Sequence, residues 1–169
     1  FDFHKYGAFL SGPILKNKLF FFLSYEDDAI TQPGTTFTAN PGGAPVGGNM
    51  TRVLASDLNN LSSFLKDKFK YDTGPYEGYD HSTPSKRYLA KLNYNLNDKN
   101  KFTFRFSRLD SDTDVLLSNS SSLGFGTRRS NTTGLNFQNS NYSITENNRS
   151  YIGEWNSTIG NSSSNTLIV

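Results

Sequence analysis

Asp110, Asp112 and Asp114 alternate along the chain, so in an extended strand they share one face and could offer oxygen ligands to a hard cation. A calcium loop counted from Asp110 needs glycine sixth and glutamate twelfth. Those positions are Val115 and Ser121, so the triplet reads as a solvated rim of charge. His4 and His81 stand alone, with no carboxylate at ligand spacing and no Cys in the chain. A structural or solvent-facing role is expected for both. Ser63-Phe64-Leu65-Lys66 matches Ser-x-x-Lys as text only, without the companion motifs of a serine acyl-enzyme. No nucleophile–base pair emerges, so binding or transport is expected rather than catalysis, with no metal and no cofactor. The side chains suited to a partner are aromatics and arginines in polar stretches: Tyr71, Tyr76, Tyr79, Phe125, Arg128 and Arg129.

The elements that must position these residues are strands. Residues 87–109 alternate with period two on both sides of Asn97-Asp98-Lys99-Asn100. Tyr88, Ala90, Leu92, Tyr94 and Leu96 share one face before this break, and Phe102, Phe104 and Phe106 share one after it. Leu89, Lys91, Asn93 and Asn95, then Thr103, Arg105 and Ser107, take the other. The pattern predicts a β-hairpin with one apolar and one polar surface. The apolar surface meets a second sheet in a soluble sandwich, or lipid in an outer-membrane barrel whose polar face lines a wet lumen. Each arm has about ten residues, the length of a tilted membrane-spanning strand.

Composition suits such a wall. Hydrophobic content is 34 % and mean hydropathy −0.58, low for a globular core, yet 14 % of residues are aromatic. A net charge of +2 gives no argument for nucleic acid. No run of eighteen apolar residues exists to form a transmembrane helix. The chain opens at Phe1 without a signal peptide and stops inside an apolar run, so an internal fragment is expected.

Along the chain, a short alternating run in residues 1–11 leads to Gly12-Pro13, and a compact connection ends at Lys18. The strand at 19–26 carries Leu19, Phe21, Leu23 and Tyr25 on one stripe, with Phe20 and Phe22 opposite. The opposite pair is expected to be buried or to pack on material inside the lumen. Residues 27–84 form a long connection, glycine- and proline-rich at 32–48. A short amphipathic helix is expected at about 56–69, capped by Ser56-Asp57, with Leu58, Leu61, Phe64, Leu65 and Phe69 at helical spacing. A second polar stretch spans 110–140. Tyr151, Gly153, Trp155 and Ser157 then alternate with Ile152, Glu154, Asn156 and Thr158, before a turn at 160–163 and a last strand. The connections run short, long, short, long, short. A sandwich has no reason to alternate so; a membrane barrel does, because its ends face different compartments and its long loops lie outside. Tyr88, Tyr94, Phe102, Tyr151 and Trp155 would then be interfacial aromatics facing outer-membrane lipid.

Gly12-Pro13-Ile14-Leu15-Lys16-Asn17-Lys18-Leu19-Phe20-Phe21-Phe22, ending in Tyr25-Glu26, resembles a segment early in the barrel of TonB-dependent outer-membrane receptors, nearest the Oar-like branch of Bacteroidetes-type bacteria. The 87–92 run with its Asn-Asp-Lys turn, 123–126 with 136–142, and Gly153-Glu154-Trp155-Asn156 are similar in the same order. The resemblance implies an all-β, antiparallel transmembrane β-barrel fragment: about six strands of about 22, with a short helix in a long extracellular loop. It implies that residues 1–169 are part of the barrel, the plug, signal peptide and remaining strands lying elsewhere. The strand before Gly12 would run down to the periplasm. It further implies uptake of a nutrient across the bacterial outer membrane, driven by the TonB complex through the plug, with an unidentified substrate and no nucleic acid. A passive porin or adhesin barrel and a secreted β-sandwich carbohydrate-binding module are the alternatives.

Overall fold

The computed structural model describes residues 1–120, 127–160 and 162–169. In chain order the elements are β1 (Asp2–Leu15), β2 (Leu19–Pro33), β3 (Thr38–Asn40), β4 (Met50–Leu54), α1 (Ala55–Phe69), β5 (Asp80–Asn97), β6 (Asn100–Val115), a 3-10 turn (Gln138–Ser140), β7 (Tyr142–Ile159) and β8 (Ser163–Ile168). Six strands form one sheet in the order β1-β2-β5-β6-β7-β8, each beside its neighbour along this series. β3 and β4 pair in parallel as a separate sheet. Among the described residues no helix is long and apolar enough to cross a membrane. The chain divides into two compact units: residues 3–29, 84–112 and 145–169, and residues 1–2, 30–83 and 113–144.

The first is the sheet unit. Its central hairpin brings the expected apolar faces together: Tyr94 opposes Phe102, Leu92 opposes Phe104 and Ala90 opposes Phe106, while on the other face Lys91 opposes Arg105. Two residues, Asp98 and Lys99, make the turn, and the Asn97 side-chain carbonyl accepts from the Lys99 amide at 3.0 Å. β7 and β8 are likewise antiparallel, with Trp155 opposite Leu167. The five long strands have 14 to 18 residues, more than the roughly 9–11 that a tilted strand needs to cross a bilayer.

Several boundaries differ from expectation. β1 continues through Gly12-Pro13 to Leu15, and the tight turn lies at 16–18, closed by the Lys18 amide on the Leu15 carbonyl at 3.0 Å. Asn17, not Gly12, takes the left-handed conformation, at φ 63°. Asparagine tolerates it because its short polar side chain bonds locally. Asn17→Gly is therefore expected to leave stability nearly unchanged, and Asn17→Val to cost about 1–2 kcal/mol, read as the urea midpoint of the full-length protein. β2 runs on to Pro33 rather than ending at Glu26, and β5 starts at Asp80, so Pro84 lies within a strand.

The second is the loop unit. Its small core joins Ala39, Leu58 and Leu135, flanked by Phe37, Val53, Ala55, Tyr76 and Phe137. α1 begins at Ala55, one residue before expectation. Leu54 stands at the N-cap without a side-chain bond, so Ser56 and Asp57 lie inside the first turn, where Asp57 faces the positive end of the helix dipole. Lys70 closes the helix in the left-handed conformation. Of the apolar helix positions only Leu58 is buried, while Leu61, Phe64 and Phe69 are exposed. The core the helix meets is narrow enough for one face position to fill it.

Candidate functional site

The sheet unit has two chemically distinct faces. On one, Phe102 stacks on Trp155 at 5.9 Å and 10° and on Tyr94 at 6.5 Å, near the short turns. The Trp155 indole N–H donates to the Asn100 side-chain carbonyl at 3.1 Å. Phe106 meets Tyr151 at 5.0 Å, and Tyr25 meets Tyr88 at 5.1 Å. Leu92 and Phe104 lie between these aromatic groups and are exposed, with no layer of the described residues covering them. The apolar run on β5 from Leu96 to Tyr88 extends about 27 Å along the strand, close to the roughly 25 Å apolar band of an outer-membrane barrel once tilt and ring size are included. Charge begins just past Tyr88. Lys86 lies 4.0 Å from Asp27, which accepts the Tyr25 hydroxyl at 2.8 Å. The Arg108 guanidinium sits 5.9 Å over the Tyr88 ring. Its Nε is 2.6 Å from Asp110 Oδ2, but without hydrogen-bond alignment, so the contact is a close ion pair. Of the expected interfacial aromatics, Tyr88, Tyr94, Phe102, Tyr151 and Trp155, all five stand on this face.

The other face is polar and charged. Glu26 takes Lys5 at 3.1 Å and Arg87 at 3.6 Å, and Arg87 also bonds Asp28 at 2.9 Å. These four residues form a ladder across β1, β2 and β5. The Arg87–Asp28 pair is the best placed, because Asp28 is only 15 % exposed. The others are solvated enough to contribute under about 1 kcal/mol each. Further along, Lys91 and Arg105 stand directly opposite with no acidic partner among the described ion pairs. Like charges face each other there at a small cost that water relieves. Thr103 donates to the Asn93 side-chain carbonyl at 3.1 Å. Phe9 and Phe22 stack at 6.3 Å on this side. They cover each other, so the apolar residues expected to need something inside the lumen are partly satisfied within the wall.

In the loop unit the expected contact residues take different roles. Tyr71 is exposed and donates its hydroxyl to the Asn139 carbonyl at 3.3 Å. Tyr76 packs on Phe137 at 6.0 Å and donates to Asn59 at 3.3 Å. Tyr79 is buried at 6 % exposure, its carbonyl held by the Gly34 amide at 2.9 Å. Arg129 Nε donates to the Leu117 carbonyl at 2.8 Å, and the Arg128 carbonyl accepts the Asn136 amide at 2.6 Å. Phe125 lies outside the described residues. His81 is also buried, its ring 5.7 Å from that of Tyr79. Between them Asn141, which sequence reasoning did not single out, places its amide nitrogen 3.2 Å from both Tyr79 Oη and His81 Nε2. No spacing signal marks this trio, because Asn141 and His81 are distant in sequence.

The aspartates take separate partners: Asp110 pairs with the Arg108 charge, Asp112 accepts Thr145 Oγ1 at 2.6 Å, and Asp114 accepts the Ser82 amide at 2.9 Å. Among the described residues no three His, Asp or Glu side chains converge as a metal site would require.

Residues 1–73 match the family model of the outer membrane beta barrel domain, a span running from β1 through α1. No curated protein and no solved structure matches the chain. Over residues 1–73 the chain is thus similar to an outer-membrane β-barrel domain, and its mostly antiparallel six-stranded sheet is consistent with the wall of one.

Proposed function

We propose that this chain is part of the wall and outer loops of a TonB-dependent receptor that takes a nutrient across the outer membrane: a transport protein rather than an enzyme. In this reading the barrel has about 22 strands and is closed around a plug. The observation that carries it is the asymmetry of the connections. Residues 16–18 and 98–99 make bare turns and only three residues separate β7 from β8, while the long connection at 34–79 carries a helix and a two-stranded sheet and shares a small core with Leu135 of the other long connection. Loops of that length are uncommon unless they function, and a folded outer loop is what a receptor needs to select its solute. Tyr71, Arg128 and Arg129 are the expected pathway contacts on those loops. Tyr88, Tyr94, Phe102, Tyr151 and Trp155 are the expected lipid contacts.

Two readouts on the full-length protein test this. It should be recovered with the outer membrane and migrate faster on a detergent gel before boiling than after. A purified periplasmic domain of TonB should then capture it. Recovery in a soluble fraction with no shift would leave the sandwich module. A heat-modifiable barrel that TonB does not capture would be a passive porin or adhesin.

A further inference from the structure

A cleft of about 320 Å³ in the loop unit is lined almost wholly by neutral polar groups. His81 comes from the start of β5, Asp114 from the end of β6, Gln138 from the 3-10 turn, and Tyr142 and Ser143 from the start of β7. We propose that this cleft binds a neutral polyhydroxylated solute, one sugar ring in size. The proposal rests on the receptor reading above and names the substrate class for it.

The support begins with which groups are already occupied. The Asn141 amide nitrogen donates towards Tyr79 Oη and His81 Nε2, and its carbonyl accepts the Leu117 amide at 3.4 Å. Asn141 is therefore spent as scaffold. An amide nitrogen cannot accept, so His81 Nε2 is the acceptor and the ring proton sits on Nδ1. That leaves the Nδ1–H as a donor to spare. Asp114 Oδ2 accepts the Ser82 amide, which leaves Oδ1. Among the described residues, neither the Gln138 carboxamide nor the Ser143 hydroxyl has a protein partner.

These free groups hang from a fixed backbone. The Gln138 amide donates to the Pro75 carbonyl at 2.7 Å, and the Gln138 carbonyl accepts the Asn141 amide at 3.0 Å. Beside it, the Asn139 amide donates to the Thr73 carbonyl at 3.0 Å, and its side chain donates to the Asp72 carbonyl at 2.9 Å. A ligand would therefore meet side chains hung from a placed backbone, leaving only their rotamers to be ordered on binding.

The set of free groups decides the class. A carboxylate oxygen and an amide carbonyl accept, while an imidazole N–H and an amide NH₂ donate. The serine hydroxyl does both. Sugar hydroxyls, which also do both, satisfy such a mixture. The exposed Tyr142 offers a ring surface for the apolar face of a pyranose. No Lys or Arg lines the cleft, which argues against phosphate or a carboxylate ligand. One carboxylate and one imidazole are too few for a metal ion.

The test uses full-length protein in detergent micelles and saturation-transfer NMR. The probes are the methyl glycosides of glucose, galactose and mannose, with glycylglycine and inorganic phosphate as the competing classes. At least one glycoside should receive transfer. Its apparent affinity should fall about fivefold or more in Asp114→Asn and in Gln138→Ala, the effect of one lost hydrogen bond. Asp114→Asn keeps the acceptor for the Ser82 amide, and unchanged heat-modifiable migration would show that each variant still folds. Transfer to none of the glycosides, transfer to glycylglycine or phosphate instead, or equal glycoside affinity in both variants would overturn the proposal. A protein that shifts on heating and is captured by TonB yet ignores the glycosides defeats this inference alone. Absence of the shift or of capture defeats the receptor reading instead.

Discussion

Leu92→Arg is expected to lower the stability of the full-length barrel by about 2–4 kcal/mol, the cost of an arginine at the bilayer midplane on a lipid-facing strand. Leu92 sits midway along the apolar run of β5, opposite Phe104, with aromatic groups towards either end. An arginine there has no acid within its row to meet. Its neighbour supplies the control. Asn93→Arg turns its side chain to the polar face, where Lys91 already stands, and loses only the bond from Thr103, worth about 1 kcal/mol. Urea unfolding in lipid vesicles, followed by the heat-dependent gel shift, reads both variants. A contrast of this size between adjacent residues is specific to a wall with lipid on one side. Equal effects would mean that both faces see the same solvent.

Gly34→Ala is expected to destabilise the loop unit by about 1–3 kcal/mol, the usual cost of overpacking. A Cβ at residue 34 would lie 2.1 Å and 2.4 Å from two ring carbons of Tyr79, and 3.0 Å from His81 Cδ2. Tyr79 has little room to yield, because its hydroxyl meets Asn141, its carbonyl is held by the Gly34 amide, and its ring is buried. The strain should pass to His81 and Asn141. Limited proteolysis of intact cells should cut the loops of the variant faster than those of the wild type. The gel shift should persist, since none of these residues belongs to the sheet unit. Wild-type cleavage rates would show that Tyr79 moves aside freely.

Much of the sheet unit was legible because one physical cause writes it. A strand with two solvents must alternate, so Tyr88 to Leu96 and Phe102 to Phe106 disclosed their faces and the place of the turn between them, though not its two-residue length. Legibility ended where that contrast ended. Beyond Glu26 and before Arg87 the residues, 27–33 and 80–86, are mostly polar, with Ala29 and Ile30 the exceptions, and carry no apolar stripe. Those stretches extend β2 and β5 because neighbouring strands pair with them. The β3–β4 pair was hidden for a related reason: three and five residues joined in parallel leave no periodic trace. Leu61, Phe64 and Phe69 have the spacing of a buried helix face, but only the surroundings decide whether a face is covered. The histidines illustrate the same limit. His81 had no ligand spacing, and its place beside Tyr79 and Asn141 follows from contacts across about sixty positions of sequence.

The central claim is that alternate residues of this sheet meet lipid and water. Spin labels test it most directly, and these 169 residues contain no cysteine. Labels would be placed one at a time at Leu92→Cys, Asn93→Cys and Phe104→Cys in the full-length protein, reconstituted in vesicles. Collision rates with oxygen, which concentrates in lipid, would be compared with those of a water-soluble nickel chelate. The account predicts oxygen-dominated relaxation at Leu92→Cys and Phe104→Cys, and none of that lipid signature at Asn93→Cys. Nickel-dominated relaxation at Leu92→Cys and Phe104→Cys would contradict it.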